Sequence, residues 1–213
     1  MAEAQRLQIR IAGLDDAAVI ARISREAYAE FEGRVNPPFR ALSATPEQVR
    51  LEMHKYRFVY GLALWDGSPV GHVRYRIRDG HMHISRLAVL PAYRGLGIGR
   101  RLIAWTEHEA HRLGVLHVRG EVRSALVDLL RYYRSMGFET NGTLPLAGMP
   151  HCLTVIEKWL DEQPAGSPPE PEVPEIGDEQ AWQEDMAITW ELLHPILATL
   201  PALRTHPWTR NSR

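Results

Sequence analysis

A glycine-rich turn between a strand and a helix constrains this chain more than any other feature of its sequence. The strand ends in Leu-Ala-Val-Leu-Pro over residues 87–91, the turn reads Arg-Gly-Leu-Gly-Ile-Gly over residues 94–99, and a predicted helix runs over residues 98–113. The first amides of a helix have no partner within it and carry the positive end of the helix dipole. Because glycines let a ligand approach closely, these amides can hold a pyrophosphate.

Two common phosphate-binding motifs do not fit this turn. A Rossmann fingerprint requires G-x-G-x-x-G, whereas here the third glycine comes one position early and residue 100 is arginine. A Walker loop requires Gly-Lys followed by Ser or Thr, which is absent. The turn therefore indicates phosphate binding without identifying the cofactor.

Strand and turn signals predict an antiparallel meander in the middle of the chain. Asp66-Gly67 and Asp79-Gly80 are hairpin turn signals between three predicted strands. Asp15 and Thr45 are the predicted N-caps of the first two helices. Together the elements predict an α/β (α+β) protein, with helices over 16–30, 46–55, 98–113 and 125–136 and with strands over 7–11, 58–64, 70–77, 82–90, 116–122, 152–159 and from 138 onward.

Charge and composition limit the classes of partner. Residues 1–159 hold 22 Lys and Arg against 16 Asp and Glu, a balance of +6, whereas residues 160–203 hold 10 acidic residues and no Lys or Arg. A basic body suits an anionic partner, but no nucleic-acid-binding module is recognisable, so nucleic acid is an unlikely partner. With one cysteine, no signal peptide and no run of about 18 apolar residues, we expect a cytoplasmic protein without a membrane partner.

The glycine turn resembles the acyl-CoA motif of the GNAT superfamily of N-acyltransferases. The pattern R-x-x-G-x-G is Arg94, Gly97 and Gly99, and it follows a strand that reads L-A-V-x-P-x-Y. The order of elements over residues 7–159 is similar to that of the family as well. The resemblance implies a mixed, mainly antiparallel central sheet flanked by helices, which splays where the fourth and fifth strands part.

The resemblance also implies acetyl-CoA as the acyl donor and no metal. The pantetheine arm is expected to pair with backbone groups of the fourth strand, and the phosphates are expected at the glycine turn. Arg101 also lies next to the turn, but a solvated helix face explains it equally well. The residues expected to bind the cofactor are Leu87, Ala88, Val89, Arg94, Gly95, Leu96, Gly97, Ile98, Gly99 and Arg100.

A second match supplies candidates for the chemistry, which needs a base for the amine and an acid for the leaving thiolate. The segments E-V-R at 121–123 and Y-R-S-M-G-F at 133–138 are similar to segments of ribosomal-protein N-terminal acetyltransferases. This implies that Glu121 is the base and Tyr133 the acid. Leu126 stands where that branch usually has asparagine, so the chain departs from the branch there. The alternatives are a core aromatic for Tyr133 and a salt-bridge partner of a nearby arginine for Glu121.

Three other features are weaker candidates for catalytic or metal-binding residues. His83 is an alternative base, but the sequence shows no partner for it. The run His-Glu-Ala-His at 108–111 is one residue short of a zinc protease motif and is better explained as a solvated helix face. Cys152 is predicted to be a core residue rather than a nucleophile, since acyl transfer to an amine needs no covalent enzyme intermediate.

Only the family resemblance indicates where the acceptor amine binds. In this family, the segment between the first two helices lines the acceptor side. Phe31 and Phe39, with the prolines at 37–38, would form an apolar wall for substrate binding. Glu30 or Glu32 could attract an ammonium group. An ordinary surface loop explains these residues equally well, and the identity of the amine stays open.

We expect the chain to have three parts. Residues 1–160 are expected to form the domain that resembles GNAT acyltransferases. The composition predicts an acidic linker with five prolines over residues 161–178, and a helix with one apolar face and a tail over residues 179–213. Because that face must be covered, we expect it to dock on its own body or to form a homodimer, without a catalytic role.

Two functions are compatible with these features. The first is transfer of an acetyl or short acyl group from acyl-CoA to a primary amine by direct attack in a ternary complex. The alternative is a non-catalytic acyl-CoA-binding sensor that acts through the C-terminal helix.

Overall fold

The computed structural model describes residues 7–146 and 149–161 of the chain. Within this part, seven strands and four α-helices follow one another in the order of the predicted elements. Their bounds are β1 Leu7–Ile11, α1 Ala17–Tyr28, α2 Pro46–His54, β2 Val59–Trp65, β3 Ser68–Arg78, β4 His81–Val89, α3 Ile98–Arg112, β5 His117–Arg123, α4 Val127–Arg134, β6 Glu139–Leu146 and β7 Met149–Trp159.

The predicted meander is confirmed, and its turns have the backbone that the sequence requires. Asp66 and Gly67 have φ angles of 48° and 79°, and Asp79 and Gly80 have 48° and 73°. Positive φ at both central residues is typical of the two-residue hairpin turn whose twist matches that of the flanking strands. These turns join β2, β3 and β4 into an antiparallel unit.

One of the two predicted N-caps is confirmed and the other is wrong. The Thr45 hydroxyl caps α2, and Gly114, with φ of 66°, follows the last turn of α3. Asp15 does not cap α1, because a 3-10 turn precedes that helix. The carboxylate of Asp16 instead accepts a hydrogen bond of 2.8 Å from the amide of Gly13.

All strands lie in one sheet with the order β1-β2-β3-β4-β5-β7-β6. Every neighbouring pair is antiparallel except β4 and β5. These two pair at only two positions, Met82 with Val118 and His83 with Arg119, although both strands continue further. The sheet is therefore mixed and mainly antiparallel. We call the gap between β4 and β5 beyond these pairs the fork.

Strand β4 contains an additional residue beside the fork. Its register with β3 shifts between Ser85 and Ala88, and Arg86 has φ of 50°. Such a value is uncommon for a residue other than glycine. The bulge bends the strand and increases its twist, which helps β4 to diverge from β5.

Helices cover both faces of the sheet. On one face the ring of Trp105, from α3, lies against Gly61, where an added Cβ would be only 2.4 Å from the ring. Glycine at this position therefore allows α3 to pack closely. On the opposite face, His72 of β3 has its Nε2 2.9 Å from the hydroxyl of Ser24 in α1.

A buried ionic network attaches α2 to the strands beside the fork. Glu52 of α2 is 8% exposed and lies 2.8 Å from Arg74 and 2.9 Å from Arg86. Its carboxylate also accepts a hydrogen bond from the hydroxyl of Tyr60. Burial alone would raise the pKa of Glu52, but the two guanidinium groups lower it below its usual range.

Some predicted boundaries differ from the structure. Strand β7 begins at Met149 rather than at 152, α4 is shorter than the predicted 125–136, and the segment between α1 and α2 contains a 3-10 turn, Arg40–Ser43. The helix predicted within 179–213 and all but the first residue of the predicted linker lie outside the described residues. No helix in the described part has the length and apolarity needed to span a membrane.

Candidate active site

The glycine turn presents unpaired amides at the start of α3. Gly95 and Gly97 both have φ of 77°, which places them in the left-handed region where glycine is favoured. The first hydrogen bond of the helix runs from the Arg101 amide to the Gly97 carbonyl, at 3.0 Å. The amides of the three residues between them therefore have no partner within the helix. An added Cβ at Gly95 or Gly97 would meet nothing within 4 Å, so the turn has an open side that suits a phosphate group.

Gly99 serves a different purpose from the other two glycines. Its φ is not positive, but an added Cβ would lie 2.7 Å from the hydroxyl of Tyr132 in α4. Burial raises the pKa of this tyrosine above its ordinary value. Gly99 thus allows α3 and α4 to meet beside the turn, a contact that sequence reasoning did not identify.

The two arginines of the predicted cofactor site make contacts within the protein. Arg94 donates to the Ala27 carbonyl at 2.8 Å and pairs with Glu30 at 2.7 Å. It therefore ties the turn to the end of the first helix. Arg100 donates to the carbonyl and the hydroxyl of Ser135, at 3.1 and 3.0 Å. Because Glu30 is paired with Arg94, it is a poorer candidate for attracting an ammonium group than the sequence suggested.

The residues predicted to pair with pantetheine lie along the fork. On the β3 side Ala88 pairs with His72 and Val89 with Gly71. On the β5 side the described residues provide no strand partner for this stretch. The Leu87 carbonyl accepts a hydrogen bond of 3.3 Å from the hydroxyl of Tyr28.

Glu121 and His83 form a pair at the start of the fork. The Nε2 atom of His83 lies 2.6 Å from Oε2 of Glu121, and the two side chains are 19% and 23% exposed. Since an ionised carboxylate only accepts hydrogen bonds, Nε2 is the donor. The Nδ1 atom of His83 is buried without a hydrogen-bond partner among the described residues. Sequence reasoning missed this pair, because its members are 38 positions apart and meet only through the pairing of β4 with β5.

The pair keeps Glu121 ionised. Burial alone would raise the pKa of Glu121. The hydrogen bond from His83 lowers this pKa, the electrostatic effects of His83 and Arg119 lower it further, and the result is a pKa below the usual range. The alternative considered above, a salt bridge to a neighbouring arginine, is wrong, since the partner is a histidine. A half-buried carboxylate at the fork can accept a proton from an amine.

Tyr133 lies in the core, with only 7% of its surface exposed. Its ring packs edge-on against Phe138, with centroids 5.5 Å apart, and against Tyr132, at 6.0 Å. Burial raises the pKa of Tyr133, and the nearby phenols of Tyr28 and Tyr132 raise it further. The phenol is therefore protonated at neutral pH, as an acid must be before it acts.

Phe31 and Phe39, the residues predicted to line the acceptor side, are in contact with each other. Together with Tyr28 they form a cluster of edge-on rings whose centroids are 5.1 to 5.9 Å apart. Phe39 also lies under the guanidinium of Arg123, the last residue of β5, at 5.3 Å. The cluster joins the segment between α1 and α2 to both strands of the fork.

The structure also describes the histidine-containing run at 108–111 and Cys152. Among the described residues, no group of three or more His, Cys, Asp and Glu side chains could hold a metal ion. Glu109 is buried and accepts a hydrogen bond of 3.2 Å from Tyr75, so the prediction of a solvated face at 108–111 is wrong at this residue. Cys152 is half-buried rather than a core residue, and it accepts a hydrogen bond of 3.3 Å from Arg123.

Comparison of sequences relates this chain to known acetyltransferases. An aminoalkylphosphonate N-acetyltransferase of Salmonella typhimurium is 33% identical over 87 residues, which are 38% of this chain and 56% of that protein. An uncharacterized N-acetyltransferase of Bacillus subtilis is 28% identical over 93 residues, which are 42% of this chain and 64% of that protein. The chain thus spans between 56% and 64% of the length of these two relatives.

Solved structures share the fold. The PaiA N-acetyltransferase from Thermoplasma acidophilum, in complex with coenzyme A, superposes with a TM-score of 0.63 at 18% identity and covers 72% of this chain and 98% of its own. The ribosomal-protein-S18-alanine N-acetyltransferase from Escherichia coli superposes with a TM-score of 0.59 at 16% identity and covers 75% and 97%. At these identities the likeness concerns the fold alone.

A family comparison covers most of the described fold. The model of the "Acetyltransferase (GNAT) family" matches residues 21–138, a span that holds most of α1, all of α2 to α4, the glycine turn and the Glu121–His83 pair. This match covers more than half of the 213 residues, and the chain therefore belongs to the GNAT family of acetyltransferases.

Proposed function

We propose that this protein transfers an acetyl or short acyl group from acyl-CoA to a primary amine by direct attack in a ternary complex. The observation that carries the proposal is the glycine turn, which opens the unpaired amides of α3 beside a fork in the sheet. Anions bind at such helix starts because amide groups and the helix dipole both favour negative charge. A ligand that carries both phosphates and an extended amide arm suits this combination.

In this proposal the acyl donor occupies the turn and the fork. Bound acetyl-CoA would supply a thioester, whose acyl carbon is the electrophile. Its phosphates would lie against residues 94–100 of the turn and of the first turn of α3. Its amide arm would lie along Leu87, Ala88 and Val89, on the side of β4 that has no strand partner in the described sheet.

The two proton transfers are assigned to Glu121 and Tyr133, and His83 is assigned a positioning role. Glu121 accepts the proton that the amine loses, at a carboxylate oxygen, and His83 orients this carboxylate through its hydrogen bond. Tyr133 supplies a proton from its hydroxyl to the sulfur that leaves. A carbon–nitrogen bond forms as the carbon–sulfur bond breaks, and no enzyme atom is acylated. Turnover distinguishes this proposal from the alternative of a non-catalytic acyl-CoA-binding sensor, since both would bind acyl-CoA.

The acceptor is proposed to enter from the side of the aromatic cluster. Phe31 and Phe39 would provide its apolar wall, together with Tyr28, which is joined to β4. One relative is named for aminoalkylphosphonates and one structural neighbour for a ribosomal-protein alanine, so both small and protein-borne amines are considered as acceptors.

Thermal melting with and without acetyl-CoA tests the cofactor assignment, with NADH as the control. A ligand at about 100 times its dissociation constant raises the unfolding free energy by about 2.7 kcal/mol, which a melt resolves. We expect acetyl-CoA, but not NADH, to raise the melting temperature. This increase should be lost in Gly97→Val, since a β-branched residue is strained at positive φ. Thiol release in the presence of amines then tests turnover. Equal shifts with both nucleotides, or no shift, would overturn the proposal.

We further propose that the segment over 179–213 mediates self-association and has no role in catalysis, as its apolar stripe suggests. Light scattering compares the full chain with a chain that ends after Asp161. The proposal expects a dimer for the full chain, a monomer for the shorter chain and equal turnover per chain. An unchanged particle after truncation would contradict it.

A further inference from the structure

Arg123, at the end of β5, is a buried cation that has no carboxylate partner among the described residues. It is 7% exposed, and its guanidinium donates 2.8 Å to the Pro37 carbonyl and 3.3 Å to the thiol of Cys152. Within the described residues, no acidic side chain forms an ion pair with it. Buried charges in proteins are normally paired, because removing a charge from water without compensation is costly.

Arg123 lies next to the proposed base and on the acceptor side. It is two residues beyond Glu121, so both side chains leave β5 on the same face. Their Cα atoms are about 7 Å apart at the rise of an extended strand. The carbonyl of Pro37 and the ring of Phe39, both from the segment between α1 and α2, hold the guanidinium in place.

A second arginine on the same strand lies on the other side of Glu121. Arg119 precedes Glu121 by two residues on the same face and, like Arg123, forms no ion pair among the described residues. Its Nε atom is buried without a hydrogen-bond partner in that part of the chain. Two cations therefore flank one carboxylate. Arg119 lies where β4 and β5 still pair, so only Arg123 borders the open part of the fork.

From this arrangement we infer that Arg123 binds an anionic group of the acceptor. The acceptor is then a primary amine that also carries a carboxylate, a phosphonate or a phosphate. Its amine lies at Glu121 and its anionic group reaches the guanidinium, whose planar donors suit such groups. The inference rests on the proposed function and adds the chemical class of the acceptor to it.

Matched pairs of amines test this inference without any variant. β-Alanine is compared with β-alaninamide, and O-phosphoethanolamine with ethanolamine, so that each pair differs in one anionic group. We expect the anionic member to have a kcat/KM at least about tenfold higher, as a charge-assisted hydrogen bond allows. The carboxylate and phosphate pairs also show which anion is preferred. Equal or higher values for the neutral members would overturn the inference.

Variants then localise the preference. We expect Arg123→Gln to bring the ratio of anionic to neutral kcat/KM close to one and Arg123→Lys to retain part of it. Arg119→Gln removes the same charge from the same strand and should change the ratio less than about threefold. Because both rates are measured on one preparation, a smaller folded fraction cancels in the ratio. If Arg119→Gln lowered the ratio as much as Arg123→Gln, the preference would come from the overall positive charge of the strand and not from a contact with Arg123. That result would contradict the inference.

A binding measurement separates this inference from the proposed function. Calorimetric titration of the CoA-saturated protein with O-phosphoethanolamine and with ethanolamine needs no turnover. Tighter binding of the phosphate compound, lost in Arg123→Gln, supports the inference even if no amine is acylated. Equal affinity for both compounds overturns it even if acyl transfer is observed.

Discussion

At the scale of single residues, two histidine–carboxylate pairs lie on one sheet, and only one of them borders the fork. His83 and Glu121 are 2.6 Å apart at the fork, whereas His117 and Glu157 are 3.3 Å apart between β5 and β7. All four side chains are about equally exposed. The second pair is therefore a natural control for the first, because it has the same chemistry without access to the proposed donor site.

The first prediction concerns the base. We expect Glu121→Gln to lower kcat by at least about 100-fold, as is typical when a general base is removed. His83→Gln should lower it as well, and the double variant should lose about as much as Glu121→Gln alone, since residues that act as a unit are not additive. Steady-state kinetics with saturating acetyl-CoA measure this. The same substitutions at His117 and Glu157 serve as controls, and a similar loss there would refute the assignment.

A second prediction concerns the acid. Tyr133→Phe keeps the ring that packs against Phe138 and removes only the hydroxyl. We therefore expect a kcat at least about tenfold lower with an almost unchanged melting temperature. Tyr132→Phe, the neighbouring change, should leave kcat within about threefold of the parent. If turnover in the Tyr133 variant equals that of the parent, the residue is a core aromatic and nothing more.

Residue types and spacing predicted some of these roles, but not the contacts that accompany them. Glu121 and Tyr133 could be proposed because their neighbours match a known pattern. The partner of Glu121, His83, could not be predicted, because contacts between β4 and β5 depend on which strands become neighbours in the sheet. The pairing of Arg94 with Glu30 was missed for the same reason, because it depends on how α1 ends relative to the turn.

At the scale of elements, the junction of α3 and α4 gives a third prediction. Gly99→Ala would place a methyl group 2.7 Å from the Tyr132 hydroxyl and 3.6 Å from the ring carbon that bears it. We expect the variant to lose about 1 kcal/mol of unfolding free energy, as overpacking commonly costs. Adding Tyr132→Phe removes the colliding oxygen and should restore most of this loss.

Chemical denaturation of the parent, both single variants and the double variant measures this coupling. A similar loss in Gly99→Ala with or without the hydroxyl would mean that the collision is not its cause. Acetyl-CoA affinity should follow the same order, because displacement of the ring disturbs the first turn of α3.

The elements themselves were largely predictable, for identifiable reasons. The Asp-Gly turns and the cap at Thr45 act within a few residues, so they can be recognised in the sequence. The bulge at Arg86 could not be recognised, because the residue is not of the type that favours positive φ. The extent of the fork likewise follows from strand pairing and not from local sequence.

At the scale of the whole molecule, the fourth prediction concerns stability and pH. Glu52→Gln leaves two buried guanidinium groups without their carboxylate, and we expect a loss of about 3 kcal/mol of unfolding free energy near neutral pH. The pKa of Glu52 is lowered in the folded state. Its contribution is therefore present above the unfolded value of about 4.3 and disappears as the pH falls through the folded value.

Denaturation at a series of pH values checks this expectation. The difference between the parent and Glu52→Gln should be largest near neutral pH and should shrink under acid conditions. Glu47→Gln is the control on the same helix, since this carboxylate is largely exposed, and it should change stability little. A difference that stayed constant through the acid range would contradict the assigned role of the network.

The fork also has a consequence for inhibitor design. Beyond His83, strand β4 pairs with β3 but has no strand partner on its other side within the described sheet. The peptide groups on that side are therefore available to pair with a ligand. Backbone groups of this kind pair with any extended amide chain, whatever its side groups. A short peptidomimetic with the spacing of a β-strand would therefore compete for this side of β4 without carrying any nucleotide. Because it would leave the glycine turn vacant, its selectivity would come from the walls of the fork and not from phosphate recognition.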